Sequence, residues 1–148
     1  MMKSLFDDNA YTEIKGRLDK LTTESQRQWG SMSVAQMLAH CNIPIESALG
    51  KLELPKSGNW FIRLLFKPIL YNDKPFGKSL PTDKNFVIKD DKNFDAEKQR
   101  LQKNIQEAYD KNLKGAWLDH PSFGKFTPEQ HGKCFYKHLD HHVKQFGV

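Results

Sequence analysis

Four long segments of the chain repeat their apolar residues at the spacing of an α-helix, and no segment alternates apolar and polar residues as a half-buried strand does. The predicted helices cover residues 8–21, 33–49, 95–113 and 127–147, with Asp95 as the N-cap of the third. Each helix must bury its apolar face against another element. The pattern therefore predicts an all-α fold, a four-helix bundle with one long irregular crossover.

Capping residues mark the ends of two predicted helices. Ser33 fits the N-cap of the second helix, and Gly50 fits its C-terminal cap. Pro44 lies inside this helix and predicts a kink or an early stop near Ile43, because proline removes a helical hydrogen bond. Residues 127–130 are Thr-Pro-Glu-Gln, which predicts a capping box at the start of the fourth helix.

Residues 51–93 are the least regular part of the chain and contain four prolines. Within this crossover we predict one short apolar helix over 59–65, extending at most to Tyr71. The rest is predicted to be an extended loop, and a loop that long is uncommon in a compact domain unless it packs as a lid or wall. The apolar residues of the short helix are expected to join the core rather than to form a substrate pocket: Trp60, Phe61, Leu64, Leu65 and Phe66.

The length and charge of the chain restrict its class. A chain of 148 residues is expected to form a single domain, residues 1–148. The formal net charge is +5, and residues 51–92 alone have nine basic and five acidic side chains. A lysine-rich loop in solvent explains this segment, because nucleic-acid binding needs a denser, arginine-bearing patch with interleaved aromatic residues, and the segment contains no recognised module of that kind. We therefore expect no nucleic-acid partner.

The cysteines and the apolar stretches predict the cellular setting. Cys41 and Cys134 are too few for a disulfide framework, so a reducing, cytoplasmic location is expected. The N-terminus lacks the apolar core of a signal peptide. The longest apolar stretch, residues 60–71, is interrupted by charges and is too short to span a bilayer, so no membrane partner is expected.

Four of the six histidines lie in the predicted fourth helix. His138 and His142 are four residues apart, which places their imidazoles one above the other at the border of the apolar face. Two stacked imidazoles form half of a transition-metal site, although hydrogen-bonded core histidines are the alternative. His141 is predicted to point to solvent and His131 to line the pocket wall. His120 precedes a proline in a loop and is predicted to be a surface or structural residue.

His40 on the predicted second helix is the candidate for a third ligand. It lies at the edge of the apolar face, where a half-buried polar residue is the alternative interpretation. If the second and fourth helices pack together, His40 can approach the pair on the fourth. Three imidazoles with one open position suit Zn²⁺, Ni²⁺ or Fe²⁺ and leave room for water or a substrate.

Two motifs resemble the DinB/YfiT-like superfamily. They are WGSMSVAQMLAH at residues 29–40 and HLDHHVKQ at residues 138–145. The segments HPSFGKFTPEQ at 120–130 and KHLDHHVKQFG at 137–147 are similar to a branch of that superfamily known only as a domain of unknown function. The resemblance covers nearly the whole chain, and the C-terminal motif is its specific part.

The resemblance implies a four-helix bundle in an up-down-down-up arrangement. It also implies a metal held by one histidine of the second helix and an H-x-x-x-H pair of the last. In this sequence those ligands are His40, His138 and His142. The superfamily motif commonly places a glutamine three residues after the last ligand, and Gln145 fits this position as a contact to a ligand or to substrate.

The sequence leaves two functions open. The first is a metal-dependent enzyme acting on an unidentified small molecule, as a thiol-dependent transferase or a related hydrolase. By analogy with the superfamily, a low-molecular-weight thiol is expected as its second cofactor. The second is a non-catalytic metal-binding or regulatory bundle in which the apolar middle segment forms a homodimer interface. No carboxylate is placed well enough to be named as a general acid or base.

Overall fold

The computed structural model describes residues 1–148 and contains five α-helices and no β-strand. The helices are α1 (Asp8–Asp19), α2 (Val34–Leu49), α3 (Trp60–Phe66), α4 (Phe94–Lys111) and α5 (Pro128–Gln145). Two short 3-10 turns, Lys67–Leu70 and Lys84–Phe86, lie in the crossover between α2 and α4. The all-α prediction is confirmed. None of the helices combines the length and apolar composition needed to cross a membrane.

Local sequence signals determine where the helices begin. The side chains of Ser33 and Thr127 each accept a hydrogen bond from the backbone N–H of the glutamine three residues later. The side chain of that glutamine accepts the backbone N–H of the cap residue, so both capping boxes form. Such a cap contributes about 1 kcal/mol. The N-cap of α4 is Asn93 instead of the predicted Asp95, because the Asn93 side chain accepts the backbone N–H of Ala96 at 2.9 Å.

Helix α2 continues through Pro44 to Leu49, so the alternative of an early stop near Ile43 is wrong. A proline inside a helix costs about 3 kcal/mol. Tertiary packing offsets this cost, because α2 is buried along most of its length against α4 and α5. The helix ends at Gly50, whose φ of 79° is the left-handed conformation that glycine adopts without strain.

One hydrophobic core joins the four long helices. Its 20 buried residues come from the four long helices and the N-terminal segment, with Leu21 and Phe146 from just beyond α1 and α5. Helices α1 and α2 each pack against both α4 and α5. Because α2 and α5 are in contact, His40 on α2 can approach His138 and His142 on α5.

The short helix α3 differs from its prediction. Its apolar side chains do not join the core, and Trp60 and Leu64 remain 73% and 67% exposed. The cations of this segment face the protein instead. Arg63 donates to the carbonyls of Ser122 (3.1 Å) and Ser57 (3.3 Å), and Lys67 donates to the carbonyl of Lys125. These bonds determine which face of α3 turns outward.

The rest of the crossover is attached to α5 by one buried lysine. Lys137 Nζ donates to the carbonyl of Ile69 and to the side-chain oxygen of Asn72, the latter at 2.8 Å. Its ammonium also lies 4.5 Å from the ring centroid of Phe76. Burial of this cation is tolerated because each proton finds an acceptor or an aromatic face. The crossover therefore forms a wall beside α5, as its length predicts.

Candidate metal centre

Three histidines from two helices meet at one point. His40 lies in the middle of α2, and His138 and His142 lie one turn apart on α5. One ring nitrogen from each lies within 4.8 Å of the others. His40 Nε2 and His138 Nε2 are 2.9 Å apart. His40 and His142 are buried, whereas His138 is partly exposed.

The crossover orients the His40 ring. His40 Nδ1 lies 2.7 Å from the carbonyl oxygen of Phe86, so Nδ1 carries the proton and donates it. The lone pair is then on Nε2, which faces His138. A ligating histidine commonly has its other nitrogen fixed by such a bond. Phe86 was not identified from the sequence, because nothing local in the crossover indicates which carbonyl faces α2.

Gln145 orients His142 in the same way. Its Oε1 lies 2.8 Å from His142 Nδ1, and its Nε2 donates to the carbonyl of Trp29 at 3.0 Å. The bond to Trp29 fixes the amide so that its oxygen points to His142, which leaves the lone pair on His142 Nε2. Gly30 permits this approach: a Cβ there would lie 2.6 Å from Gln145 Nε2.

The three rings are held in the neutral state that a metal requires. Burial and, to a lesser extent, the neighbouring His40 together lower the pKa of His142 to about 3. Burial likewise holds the pKa of His138 well below its usual value, with His142 and His40 as the next causes. Burial lowers the pKa of His40, while the bond to the Phe86 carbonyl opposes the change. Lone pairs are therefore available at neutral pH without competition from protons.

The geometry fits a divalent transition metal. Two nitrogens at 2.0–2.1 Å from one ion are about 2.9–3.4 Å apart for ligand angles of 90–110°. The 2.9 Å separation of the His40 and His138 nitrogens lies in that range. All three ligand atoms lie within 4.8 Å of one another, so an approach of at most about 1.5 Å brings the His142 nitrogen into that range. An imidazole donor set suits zinc, nickel or iron.

A cavity of about 830 Å³ lies against the three histidines, which form part of its wall. This volume is in the range of small-molecule sites. The crossover supplies much of the remaining wall through apolar side chains: Phe76, Leu80, Pro81, Phe86, Val87 and Ile88. A ligand in this cavity would therefore contact both the histidine cluster and an apolar surface.

Of the other histidines, His131 and His141 do not lie where a helical wheel places them. His131 does not line the cavity; it is 2% exposed and stacks on Trp117 at 5.3 Å. His141 does line the cavity and is partly buried, so the prediction that it points to solvent is wrong. Trp29 and Phe76 cover it, at centroid distances of 5.5 and 5.7 Å. His120 also lines the cavity, which the sequence did not indicate.

These features define an all-helical protein with a three-histidine cluster in the wall of a large cavity. The chain belongs to the family described as protein of unknown function DUF1569, whose sequence model matches residues 4–147. No curated protein and no solved structure matches the chain.

Proposed function

We propose that the protein is a metal-dependent enzyme in which His40, His138 and His142 bind one divalent transition metal. The observation that supports this is the convergence of three neutral imidazoles, two of them oriented by separate hydrogen bonds, in the wall of a cavity. The cluster has three members, so a further coordination position remains for water or a reactant.

We also propose that the four long helices form the up-down-down-up bundle of the DinB/YfiT-like superfamily, as one domain of residues 1–148. The packing of α1 and α2 against both α4 and α5 around one core supports this arrangement. Under this proposal the superfamily ligand positions fall on His40, His138 and His142, and Gln145 is the glutamine of the motif.

When bound, a divalent metal supplies a Lewis acid and lowers the pKa of a coordinated water or thiol. The residues of the chain orient the ligands, bind the substrate and exclude water. Phe86 and Gln145 hold the ligand rings in place, and the apolar crossover binds the apolar part of a substrate and excludes water. Exclusion of water strengthens every electrostatic interaction inside the cavity.

The chain offers no reactive thiol of its own. Burial raises the pKa of Cys134, which lines the cavity, to about 12, and burial also raises the pKa of Cys41. A thiol at pH 7 is then almost entirely protonated and a poor nucleophile. A thiol-dependent reaction in this cavity would therefore use a separate low-molecular-weight thiol.

Elemental analysis of untagged protein purified without chelators tests the metal site. We expect about one equivalent of zinc, nickel or iron per chain in the native protein. His142→Ala should lose the metal, and His141→Ala should keep it, because His141 neighbours the cluster without belonging to it. Metal-free native protein, or equal losses in both variants, would contradict the proposal.

A transfer assay tests the activity. Metal-loaded protein is mixed with a small thiol and 1-chloro-2,4-dinitrobenzene, and formation of the thioether is followed by absorbance. The thiolate sulfur replaces chloride on the ring carbon, and the thiol proton passes to buffer. We expect a rate above that of the solution reaction, which His142→Ala abolishes. Retention of the rate in His142→Ala would contradict a metal-dependent transfer.

A second candidate is a non-catalytic bundle that assembles as a homodimer through α3. The observation in its favour is the exposed apolar face of α3, where Trp60, Phe61 and Leu64 are more than half exposed. Sedimentation equilibrium distinguishes the cases. A dimer that Leu64→Asp converts to a monomer would support this candidate, and a native monomer would remove it.

A further inference from the structure

A second polar cluster lines the same cavity, away from the three ligand histidines in sequence. It contains His120, Ser122, Asp83 and Ser57. His120 begins a tight turn whose ends pair: its N–H donates to the Gly124 carbonyl at 2.8 Å, and the Gly124 N–H donates back at 2.9 Å. These two hydrogen bonds therefore fix the backbone at His120.

The tautomer of His120 follows from its neighbours. Its Nδ1 accepts the backbone N–H groups of Ser122 (3.1 Å) and Phe123 (3.2 Å). Because a backbone N–H can only donate, Nδ1 carries the lone pair and Nε2 carries the proton. His120 Nε2 has no hydrogen-bond partner within the protein. Unlike Nε2 of His131, it is not fully buried. The cavity therefore has an N–H donor that is accessible and free.

The ring of His120 is held rigidly and is uncharged at neutral pH. Phe126 stacks on it at 5.5 Å, and Phe123 and Phe86 contact it edge-on at 5.2 and 5.9 Å. Burial and, to a lesser extent, the neighbouring His131 together lower the pKa of His120 to about 4. A neutral donor in a fixed position favours an acceptor without requiring an opposite charge.

The remaining polar groups of the cluster are already paired. Ser57 and Ser122 both donate their hydroxyl protons to Asp83 Oδ2, each at 2.8 Å. Although burial alone would raise the pKa of Asp83, the bonds from Asn85 N–H and the two hydroxyls lower it, so the carboxyl stays ionised. His120 is thus the one free donor of the cluster, and the carboxylate beside it disfavours an anionic ligand.

One residue connects this donor with the metal centre. The carbonyl of Phe86 accepts from His40, and the ring of Phe86 contacts His120. We propose that His120 Nε2–H binds the neutral oxygen acceptor, such as a ketone, ester or amide carbonyl, of a largely apolar substrate. This inference rests on the proposed function in one respect only, that the same substrate reaches the three-histidine centre.

A matched pair of probes tests the inference. Acetophenone and ethylbenzene have similar shape, and only the ketone has an acceptor. Their binding is measured by NMR titration of zinc-loaded protein. His120→Asn keeps an acceptor near the position of Nδ1, which receives the N–H groups of the turn, but it removes the N–H donor at the position of Nε2. His120→Gln instead has an N–H donor near the position of Nε2. We expect His120→Asn to weaken acetophenone about 5–10-fold, as loss of one hydrogen bond predicts.

The controls separate this inference from the proposed function. His120→Gln should bind acetophenone within about twofold of the native protein, and ethylbenzene should bind all three proteins alike. The His120 variants should keep their zinc, and His142→Ala, which lacks zinc, should keep the preference for the ketone. An equal affinity of His120→Asn and the native protein for acetophenone, or no saturable binding of acetophenone, would overturn the inference.

Discussion

At the residue scale, the candidate site depends on atoms that orient the imidazoles as much as on the imidazoles themselves. Gln145 connects His142 to the carbonyl of Trp29, so one amide joins α5 to the segment before α2. Phe86 holds His40 in the same way from the crossover. Two of the three ligands are thereby supported from two different parts of the chain.

The first prediction concerns Gln145. Gln145→Ala removes the acceptor for His142 Nδ1–H, so the ring loses its fixed orientation and we expect the zinc affinity to fall about 10–100-fold. Competition with a chromogenic chelator measures the affinity. Gln26→Ala on the exposed surface is the control and should leave the affinity unchanged. An unchanged affinity in Gln145→Ala would show that His142 needs no such support.

Helical spacing predicted where His138 and His142 lie relative to each other, because i and i+4 residues share a face of any helix. It could not place His141 correctly. A helical wheel describes one helix in water, and His141 is covered by a residue that is distant in the sequence, Phe76. The contact of His120, a loop residue, with Phe86 is likewise made between distant parts of the chain. No local pattern encodes those contacts.

At the scale of elements, a polar network connects α2 and α4. Asn104 Nδ2 donates to Asn42 Oδ1 and to Glu46 Oε1, both at 2.8 Å, and Arg100 Nε donates to Glu46 Oε1 at 2.7 Å. Asn42 and Asn104 are 0% and 2% exposed. Buried groups of this kind must remain paired, so the network sets the register of the two helices.

The second prediction therefore concerns Asn104. Asn104→Ala leaves the buried oxygen of Asn42 without its donor and removes one donor from Glu46, so we expect the free energy of unfolding to fall by about 2–3 kcal/mol. Urea denaturation followed by circular dichroism measures it. Lys103→Ala, an exposed neighbour on the same helix, should change it by less than about 0.5 kcal/mol. Equal effects of the two variants would contradict this role.

The sequence predicted the four long helices because their caps and apolar spacing are local, as at Ser33 and Thr127. It was less informative where tertiary contacts decide. Packing against other helices keeps α2 helical through Pro44, and hydrogen bonds from Arg63 turn the apolar face of α3 outward. In each case the deciding partner lies in another element, which propensity and periodicity do not identify.

At the scale of the whole molecule, several buried neutral histidines make stability depend on pH. The pKa values of His120 and His131 are lowered to about 4 in the folded chain, mainly by burial, whereas an unfolded histidine titrates near 6.5. Below pH 6.5 the unfolded chain binds more protons than the folded chain. Stability is therefore complete above that pH and falls as the pH drops towards 4.

The third prediction follows from this difference. Metal-free protein should lose about 1–2 kcal/mol of stability for each of these two histidines between pH 7 and pH 5. Urea denaturation at the two pH values measures the loss. His131→Phe, which keeps a ring among Trp117, Phe126 and Phe135, should show a smaller loss. A loss as large as that of the native protein would contradict the assignment of His131.

The central claim is that one metal ion is bound by histidines from α2 and α5. Anomalous diffraction at the absorption edge of the metal tests it most directly, on crystals of untagged protein grown without chelators. We expect one anomalous peak at about 2.0–2.2 Å from nitrogens of His40, His138 and His142. A peak located elsewhere, or no peak between these three rings, would contradict it.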